Sequence, residues 1–399
     1  MTSPRINLAT SAANETFANR WPTGFLQPRI ALRCEADGTV TATAGTSVFK
    51  RWSEPLEALD WMSTQFPFKG GRWVGHLSYD LGRWFERLPA PPRDDLNVPL
   101  FHFHYCVPLL DRSNFAEPRH PTSDAPLRGH FSRPAYEAAV QRAIDYIAAG
   151  DVFQVNLSQR FTVGVPDQPA DVYYRLSRET PALFGGLLNY DDYAIISNSP
   201  ELLLRVTAGR HVTTRPIKGT RPATDGMEEA LRDSAKDAAE LNMIVDLERN
   251  DLGRVCEIGS VRVTEPRRIE RHPTVLHGVA TIEGQLRNDV SFVQLLRATF
   301  PGGSVTGAPK VRAMEIIDEL EPVRRGPYCG AIGYLNADGS MEFNVAIRTM
   351  VLKDGLAHVS VGGGIVADSN PAEEYDETIV KAKAMFAALG VGDASMLVI

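Results

Sequence analysis

The chain reads as an α+β protein built on antiparallel sheet, and three observations lead there. Asp338-Gly339 and Asp354-Gly355 are tight-turn signals that join strand-like runs between Gly330 and Val361 into a meander. A helical stripe that stops at Gly150 is followed at once by a strand of strict alternation. No strand-helix-strand unit repeats, which argues against a doubly wound parallel sheet.

The elements follow in order. In the first 125 or so residues, Ile30 to Cys34 and Thr39 to Thr43 flank Asp37-Gly38, a hairpin signal. Pro55 to Phe66 has helical spacing through Leu56, Leu59 and Met62, and residues 88–98 and 116–127 have loop composition. His102, His104 and Cys106 share one strand face, but without a fourth ligand the structural reading outweighs a metal site. From Ser132, the residues Tyr136, Val140, Ala143, Ile144 and Ile147 form the helical stripe. In the next strand Phe153, Val155, Leu157, Phe161 and Val163 point one way, and Gln154, Asn156, Ser158, Arg160 and Thr162 the other. That polar face is either solvated or the lining of a cavity.

Bulk properties narrow the function. The 399 residues can bury a sizeable core, as two or three domains or one large mixed fold. With 43% hydrophobic and 23% charged residues and no apolar run near the ~20 needed to cross a bilayer, a soluble enzyme-sized protein is expected, with no membrane role. The formal charge of −7 and the lack of a basic cluster argue against nucleic acid. An anionic substrate must then be drawn in by local cations or a metal. Four scattered cysteines, no C-x-x-C pair and no leader peptide predict reduced thiols and a cytoplasmic location.

Lys218 is the residue most suggestive of chemistry. It lies in Arg215-Pro216-Ile217-Lys218-Gly219-Thr220-Arg221-Pro222, between an apolar residue and a glycine and bracketed by prolines. Pro216 stiffens the segment, and Gly219 is expected to remove a Cβ that would hold a ligand off the backbone. Desolvation beside Ile217 lowers a lysine pKa and frees a neutral amine for nucleophilic attack. A turn carrying a solvated lysine is the plain alternative. Two helices carry notable carboxylates. Glu240 shares a face with Met243, Ile244 and Leu247, a costly placement unless it is paired, protonated or metal-bound. A second helix opens at Asn370-Pro371, where Glu374, Glu377 and Lys381 form a charged stripe that is either a site or a solvated face. Before it, Gly362-Gly363-Gly364 reads as a glycine-rich turn with backbone N–H groups open to an anion. Glu201, in Ser199-Pro200-Glu201, can share a hairpin with Lys218 across Ala208-Gly209, or can cap a helix start.

The Pro-Ile-Lys-Gly-Thr run, with Val245-Asp246-Leu247-Glu248-Arg249-Asn250-Asp251 and Gly307-Ala308-Pro309-Lys310, resembles the chorismate-utilising enzymes. The lysine form resembles the aminodeoxychorismate synthase branch, whereas anthranilate synthases usually carry alanine at the Lys218 position. Specific motifs cover about residues 130 to 399. The resemblance implies the fold of anthranilate synthase component I, a large, mostly antiparallel β-sandwich with helices outside. Residues 1–125 would join that body, and 126–399 would form the chorismate-binding catalytic region. It further implies catalytic roles for Lys218 and Glu201, and Mg2+ held by Glu240 and Glu377 with Glu374 nearby or acting through water. Substrate contacts would come from Gly219, Thr220, His277, Ser304, Tyr328, Arg348, Gly362, Gly363, Gly364 and Lys381. Tyr328 and Arg348 would come from strands and grip a carboxylate. The implied reaction takes chorismate and ammonia to 4-amino-4-deoxychorismate, for 4-aminobenzoate and folate synthesis. No Gly-x-Cys-x-Gly nucleophile elbow is present, so a separate glutamine amidotransferase subunit is expected to supply ammonia. The alternatives are an anthranilate synthase component I, an isochorismate or salicylate synthase, or a catalytically silent chorismate-binding regulatory subunit. Ala223-Thr224-Asp225 departs from relatives that place another arginine after Pro222, which bears on the loop's electrostatics.

Overall fold

Tight turns set the strand order. Gly38 at φ 89 lets Phe25–Cys34 fold back on Val40–Ala44, and Asp354 and Gly355, at φ 52 and 74, join Thr349–Lys353 to Leu356–Ile365. The computed structural model describes residues 5–9, 25–108, 126–391 and 397–398. Among these, one strand pairing is parallel, Leu127–Gly129 with Leu397–Val398, and the rest are antiparallel.

Two ribbons of sheet result. The first runs from Ser47–Trp52 through Val40–Ala44, Phe25–Cys34, Phe101–Pro108, Arg72–Leu77, Ala331–Asn336, Met341–Val345, Leu202–Val206 and His211–Arg215 to Val275–Gln285. The second contains Phe184–Asn189, Ala194–Ser199, Thr349–Lys353, Leu356–Ile365 and Gln154–Gly164. Arg5–Ala9 pairs with both Phe25–Cys34 and Phe184–Asn189 and so stitches the ribbons together. The architecture is the expected α+β sandwich of antiparallel strands with helices packed against it.

The helices form where their caps and stripes lie. Ser132 accepts a hydrogen bond from the Ala135 amide and starts Arg133–Ala148. Asn370 accepts from the Ala372 and Glu373 amides and starts Pro371–Ala388. Tyr136, Val140 and Ala143 of the first helix pack with Tyr375 of the second over Leu157 and Ile365. The helix Ala235–Gly253 buries Leu241, Ile244, Val245 and Leu252 against the strand Val275–Gln285 and its neighbours.

Several expectations change. Phe153 is 70% exposed, because the ladder starts at Gln154 and the Phe153 amide is spent on the Ala308 carbonyl. Of the two readings left open for the polar face of Gln154–Gly164, the solvated one falls away, since Gln154, Ser158 and Arg160 are buried. Gly362–Gly364 is not a turn but part of the extended strand Leu356–Ile365, registered against Asn156 to Ser158. The loop expected over 116–127 lies almost wholly outside the described residues. His102 and His104 are buried, with their Nε2 atoms 3.1 Å apart, and His102 Nδ1 lies 3.0 Å from the Tyr193 hydroxyl. All four cysteines are free and buried. No described helix is long and apolar enough to cross a membrane.

Candidate active site

Strand ends and one helix start converge around Gly363 and Gly364. Glu201 precedes the strand Leu202–Val206, whose partner His211–Arg215 runs back toward Lys218 in Ile217–Pro222. The hairpin linking acid and lysine is therefore present, and the helix-cap alternative for Glu201 is excluded. Lys218 is half-buried, with its Nζ against Gly364: a Cβ built there would lie 3.1 Å from that nitrogen and from the Gln154 amide. Burial lowers the Lys218 pKa. Glu240, Glu201 and Glu377 oppose that shift, and Lys381 reinforces it.

Glu201 is 4% exposed, and its Oε1 has no hydrogen-bond partner among the described residues. Burial pushes its pKa up to about 7, against the pull of the Ser304 hydroxyl, the Lys218 ammonium and the Ile217 amide. Ser304, in the turn Gly303–Val305, is buried and faces Glu201. Its Oγ stabilises the carboxylate without reaching good hydrogen-bond geometry. A carboxyl poised near neutrality beside a depressed lysine suits proton transfer coupled to nucleophilic attack.

At Gly363, Glu374 and Glu377 come from the first turns of Pro371–Ala388. A Cβ on Gly363 would meet Glu374 Oε2 at 3.0 Å, Lys381 Nζ at 3.7 Å and Glu377 Oε1 at 3.8 Å. Lysine and acidic pair thus reach adjacent residues of one strand. Lys381 pairs with Glu377 Oε1 at 2.6 Å and donates to the Gly362 carbonyl at 2.8 Å, so much of its donor capacity is already committed. Ser369 donates to Glu374 Oε1 at 2.6 Å. Glu240 faces the same space from Ala235–Gly253 and interacts electrostatically with Lys218, Lys236 and Glu377. These three carboxylates offer the hard oxygens that magnesium takes, and two of them border the bare position at Gly363. Among the described residues no three His, Cys, Asp or Glu side chains close on one point, and Lys381 holds Glu377. The donor set fits a cation that completes its shell with water and substrate oxygens.

The third wall is irregular backbone. Tyr328 and Arg348 were expected on strands, but they lie in the segments Arg325–Gly330 and Ala346–Arg348. These segments are tied by the Cys329 amide to the Ala346 carbonyl and the Ala346 amide to the Gly330 carbonyl, both at 2.9 Å. Arg348 adopts φ 50 between two strands, with its carbonyl accepting from the Asn198 amide. Burial lowers its pKa, and the Tyr328 phenol is the one group opposing that shift; no carboxylate takes part. His277, buried and pushed down to about 3, is the neutral imidazole whose Nδ1 lies 3.0 Å from the Thr220 hydroxyl. Gly219 is present for a different reason from the one expected. At φ 81, its absent Cβ would strike Leu231 and Asp237 at 2.7 and 2.9 Å, so it serves packing rather than ligand approach. Gly362 likewise lets the strand pass the Leu157 carbonyl, 2.4 Å from a Cβ.

Three residues escaped the sequence reading. Gln154 is fully buried beside Gly364, with both amide atoms unpartnered. Lys236 stands four residues before Glu240 and acts on all three carboxylates. Glu248 is a buried acid two turns beyond Glu240. The i, i+4 spacing could have exposed Lys236; strand alternation put Gln154 on the polar face but did not single it out from its neighbours.

With this geometry in hand, the chain belongs to the chorismate binding enzyme family, whose model matches residues 22–387. The anthranilate synthase component 1 of Pseudomonas aeruginosa is 49% identical over 68% of this chain, and the match spans 56% of that protein's length. The aminodeoxychorismate synthase component 1 of Klebsiella aerogenes is 39% identical over 95% of this chain and 92% of its own. The crystal structure of anthranilate synthase component I from Streptococcus pneumoniae superposes with a TM-score of 0.80 at 32% identity, over 96% of this chain and 93% of that one.

Proposed function

We propose that this chorismate-utilising enzyme is an aminodeoxychorismate synthase component I. The observation that carries the reading is Lys218, a desolvated amine packed on Gly364 and electrostatically coupled to Glu201, whose pKa burial raises to about 7. Neutral Lys218 attacks ring C2 of chorismate. Both ring double bonds shift, the C4 hydroxyl departs as water on receiving the Glu201 proton, and the alkylated amine returns a proton to Glu201. Ammonia then adds at C4, both double bonds return, the C2–N bond to lysine breaks as Glu201 protonates the departing amine, and the new C4 ammonium gives its extra proton back to Glu201. The net exchange replaces hydroxyl by amine and leaves the pyruvyl ether intact. Arg348, paired with no carboxylate among the described residues, is disposed to grip a substrate carboxylate beside Tyr328 and the neutral His277. Glu240, Glu374 and Glu377 would hold Mg2+, which when bound neutralises and orients the ring carboxylate. Ammonia would come from a separate glutamine amidotransferase subunit, in keeping with the component 1 naming of the relatives.

An anthranilate synthase reading draws on relatives of higher identity over a shorter span. The lysine in place of alanine opposes it. Incubation with chorismate, Mg2+ and ammonium, followed by the pyruvate-eliminating lyase, should yield 4-aminobenzoate, and intact mass should reveal an adduct lost in Lys218→Ala. Direct appearance of anthranilate fluorescence without the lyase would overturn the assignment.

A further inference from the structure

Two of the carboxylates proposed to hold magnesium are engaged by partners of different charge. The Ser369 hydroxyl donates to Glu374 Oε1 at 2.6 Å, and Glu374 Oε2 lies toward Gly363. Glu377 Oε1 instead pairs with the Lys381 ammonium at 2.6 Å. A neutral hydroxyl orients a carboxylate for a cation, whereas an ammonium neutralises it. The i, i+4 spacing alone would make Lys381–Glu377 an ordinary surface pair. Here, however, Lys381 Nζ also donates to the Gly362 carbonyl at 2.8 Å, across on the strand Leu356–Ile365. Tied at two points, the charge is held among the ligands: around the position a Cβ on Gly363 would take stand Glu374 Oε2 at 3.0 Å, Lys381 Nζ at 3.7 Å and Glu377 Oε1 at 3.8 Å.

We infer that Lys381 is a tethered cation that competes with Mg2+ for Glu377, so that the metal binds at full strength only when the ammonium leaves that carboxylate. The inference rests on the proposed magnesium ligands. Magnesium bonds a carboxylate oxygen at about 2 Å, so an ion on Glu377 faces a like charge already held to the same group. The Lys381 and Glu377 side chains are 32% and 54% exposed, so the pair can part without disturbing the core. Lys236 is a cation of another kind: it is exposed and enters the electrostatics of Glu240, Glu374 and Glu377 alike, whereas Lys381 is bonded to one of them. A substrate carboxylate offered to Lys381 draws it off Glu377 and so strengthens Mg2+ binding. By reciprocity the metal strengthens binding of that substrate. The lysine then acts as a stand-in that balances the acidic set until an anion and a divalent ion arrive together.

The test is metal binding to the full chain without chorismate, read as loss of the free Mn2+ electron paramagnetic resonance signal and its recovery as Mg2+ displaces the bound ion. Lys381→Met should lower the Mg2+ Kd roughly 3- to 10-fold, since no ion pair is broken and no like charge is met. Lys381→Gln should act in the same direction. Lys381→Arg, which keeps the charge, and Lys236→Met, which removes one that is screened by solvent, should each stay within about 2-fold of wild type. Unchanged or weaker Mg2+ binding in Lys381→Met overturns the inference, and so does equal tightening in Lys236→Met, which would make the effect one of net charge; in both cases the proposed function stands. Absence of saturable Mg2+ binding in every one of these proteins, with chorismate or without it, overturns the magnesium reading and this inference together. A measurement on the wild type needs no variant: acylation followed by mass spectrometry should show the Lys381 amine labelled faster, relative to Lys236, as Mg2+ is added. A constant ratio while the metal binds would show that the ammonium never leaves.

Discussion

Glu321 and Glu201 are almost equally buried, at 5% and 4% exposed, and they are built to opposite ends. Arg325 donates to both oxygens of Glu321, at 2.6 and 2.9 Å, and the Ser158 amide and hydroxyl add two more bonds at 2.8 and 2.9 Å. The remaining Arg325 donors go to the Val305 and Asn156 carbonyls, and the guanidinium lies over the Tyr79 ring. Glu201 has an unpartnered oxygen and a neighbouring lysine that burial discourages from charging. A closed network holds backbone segments in place, whereas an incomplete one keeps its proton and its reactivity for a ligand. The closed network also serves the open one, because Arg325 ties Val305, next to Ser304, to the strand that bears Gln154.

The contrast is broken most severely by removing the amine. Lys218→Ala should lower kcat by about 10³-fold or more while the thermal midpoint holds or rises, as judged by steady-state rates and calorimetry. Cutting the closed network should do the reverse. Glu321→Gln leaves Arg325 buried without its counter-charge and should cost about 3–5 kcal/mol in denaturant unfolding. Activity at a temperature where the variant remains folded should fall far less than in Lys218→Ala.

Glu201→Gln sharpens the difference through pH. A carboxyl whose folded pKa is raised to about 7 from 4.5 binds its proton more tightly folded than unfolded, so it costs stability progressively as pH rises from about 4.5 through about 7. The variant should thus match wild type near pH 4 and be more stable by about 1–3 kcal/mol near pH 8. Equal stability at both would remove the raised pKa from the account. A smaller effect should follow Gly364→Ala, where the new methyl meets Lys218 Nζ and the Gln154 amide. Roughly 10-fold loss in kcat/KM is expected, with under about 1 kcal/mol in stability. The smallest belongs to the exposed Arg133–Asp376 pair at 2.9 Å, where Arg133→Ala should cost about 0–1 kcal/mol, part of it from the Tyr375 ring beneath the guanidinium.

Local spacing explains which parts could be read in advance. Glu374, Glu377 and Lys381 fall on one side of a helix whatever surrounds it, and the caps at Ser132 and Asn370 need only their own neighbours. The turns at Gly38 and Asp354-Gly355 were legible for the same reason. What could not be read depends on partners far along the chain. The polar face beginning at Gln154 could be solvated or line a cavity because alternation does not say what lies opposite; here Ser158 meets Glu321, Arg160 meets Asp95, and Gln154 lies with Lys218 against Gly364. Gly219 was expected to admit a ligand and Gly362–Gly364 to form an anion-binding turn; the close neighbours are instead Leu231 and Asp237 at Gly219, and Leu157 and the ends of Lys218 and Glu374 along the strand. Arg348 sits at a left-handed break that alternating residues around it conceal.

The buried, unpaired thiols make the molecule its own unfolding clock. Burial raises Cys34, Cys106 and Cys329 far from the thiolate form that alkylating reagents attack, so labelling waits for local or global opening. Cys34 and Cys106 lie on strands of the first hundred residues or so, and Cys256 and Cys329 lie far along the chain. If all four acquire the label at one rate, the strand contacts between Arg72–Leu77 and Ala331–Asn336 bind both ends into a single cooperative unit. Two separate rates would instead locate the seam along which the body first parts.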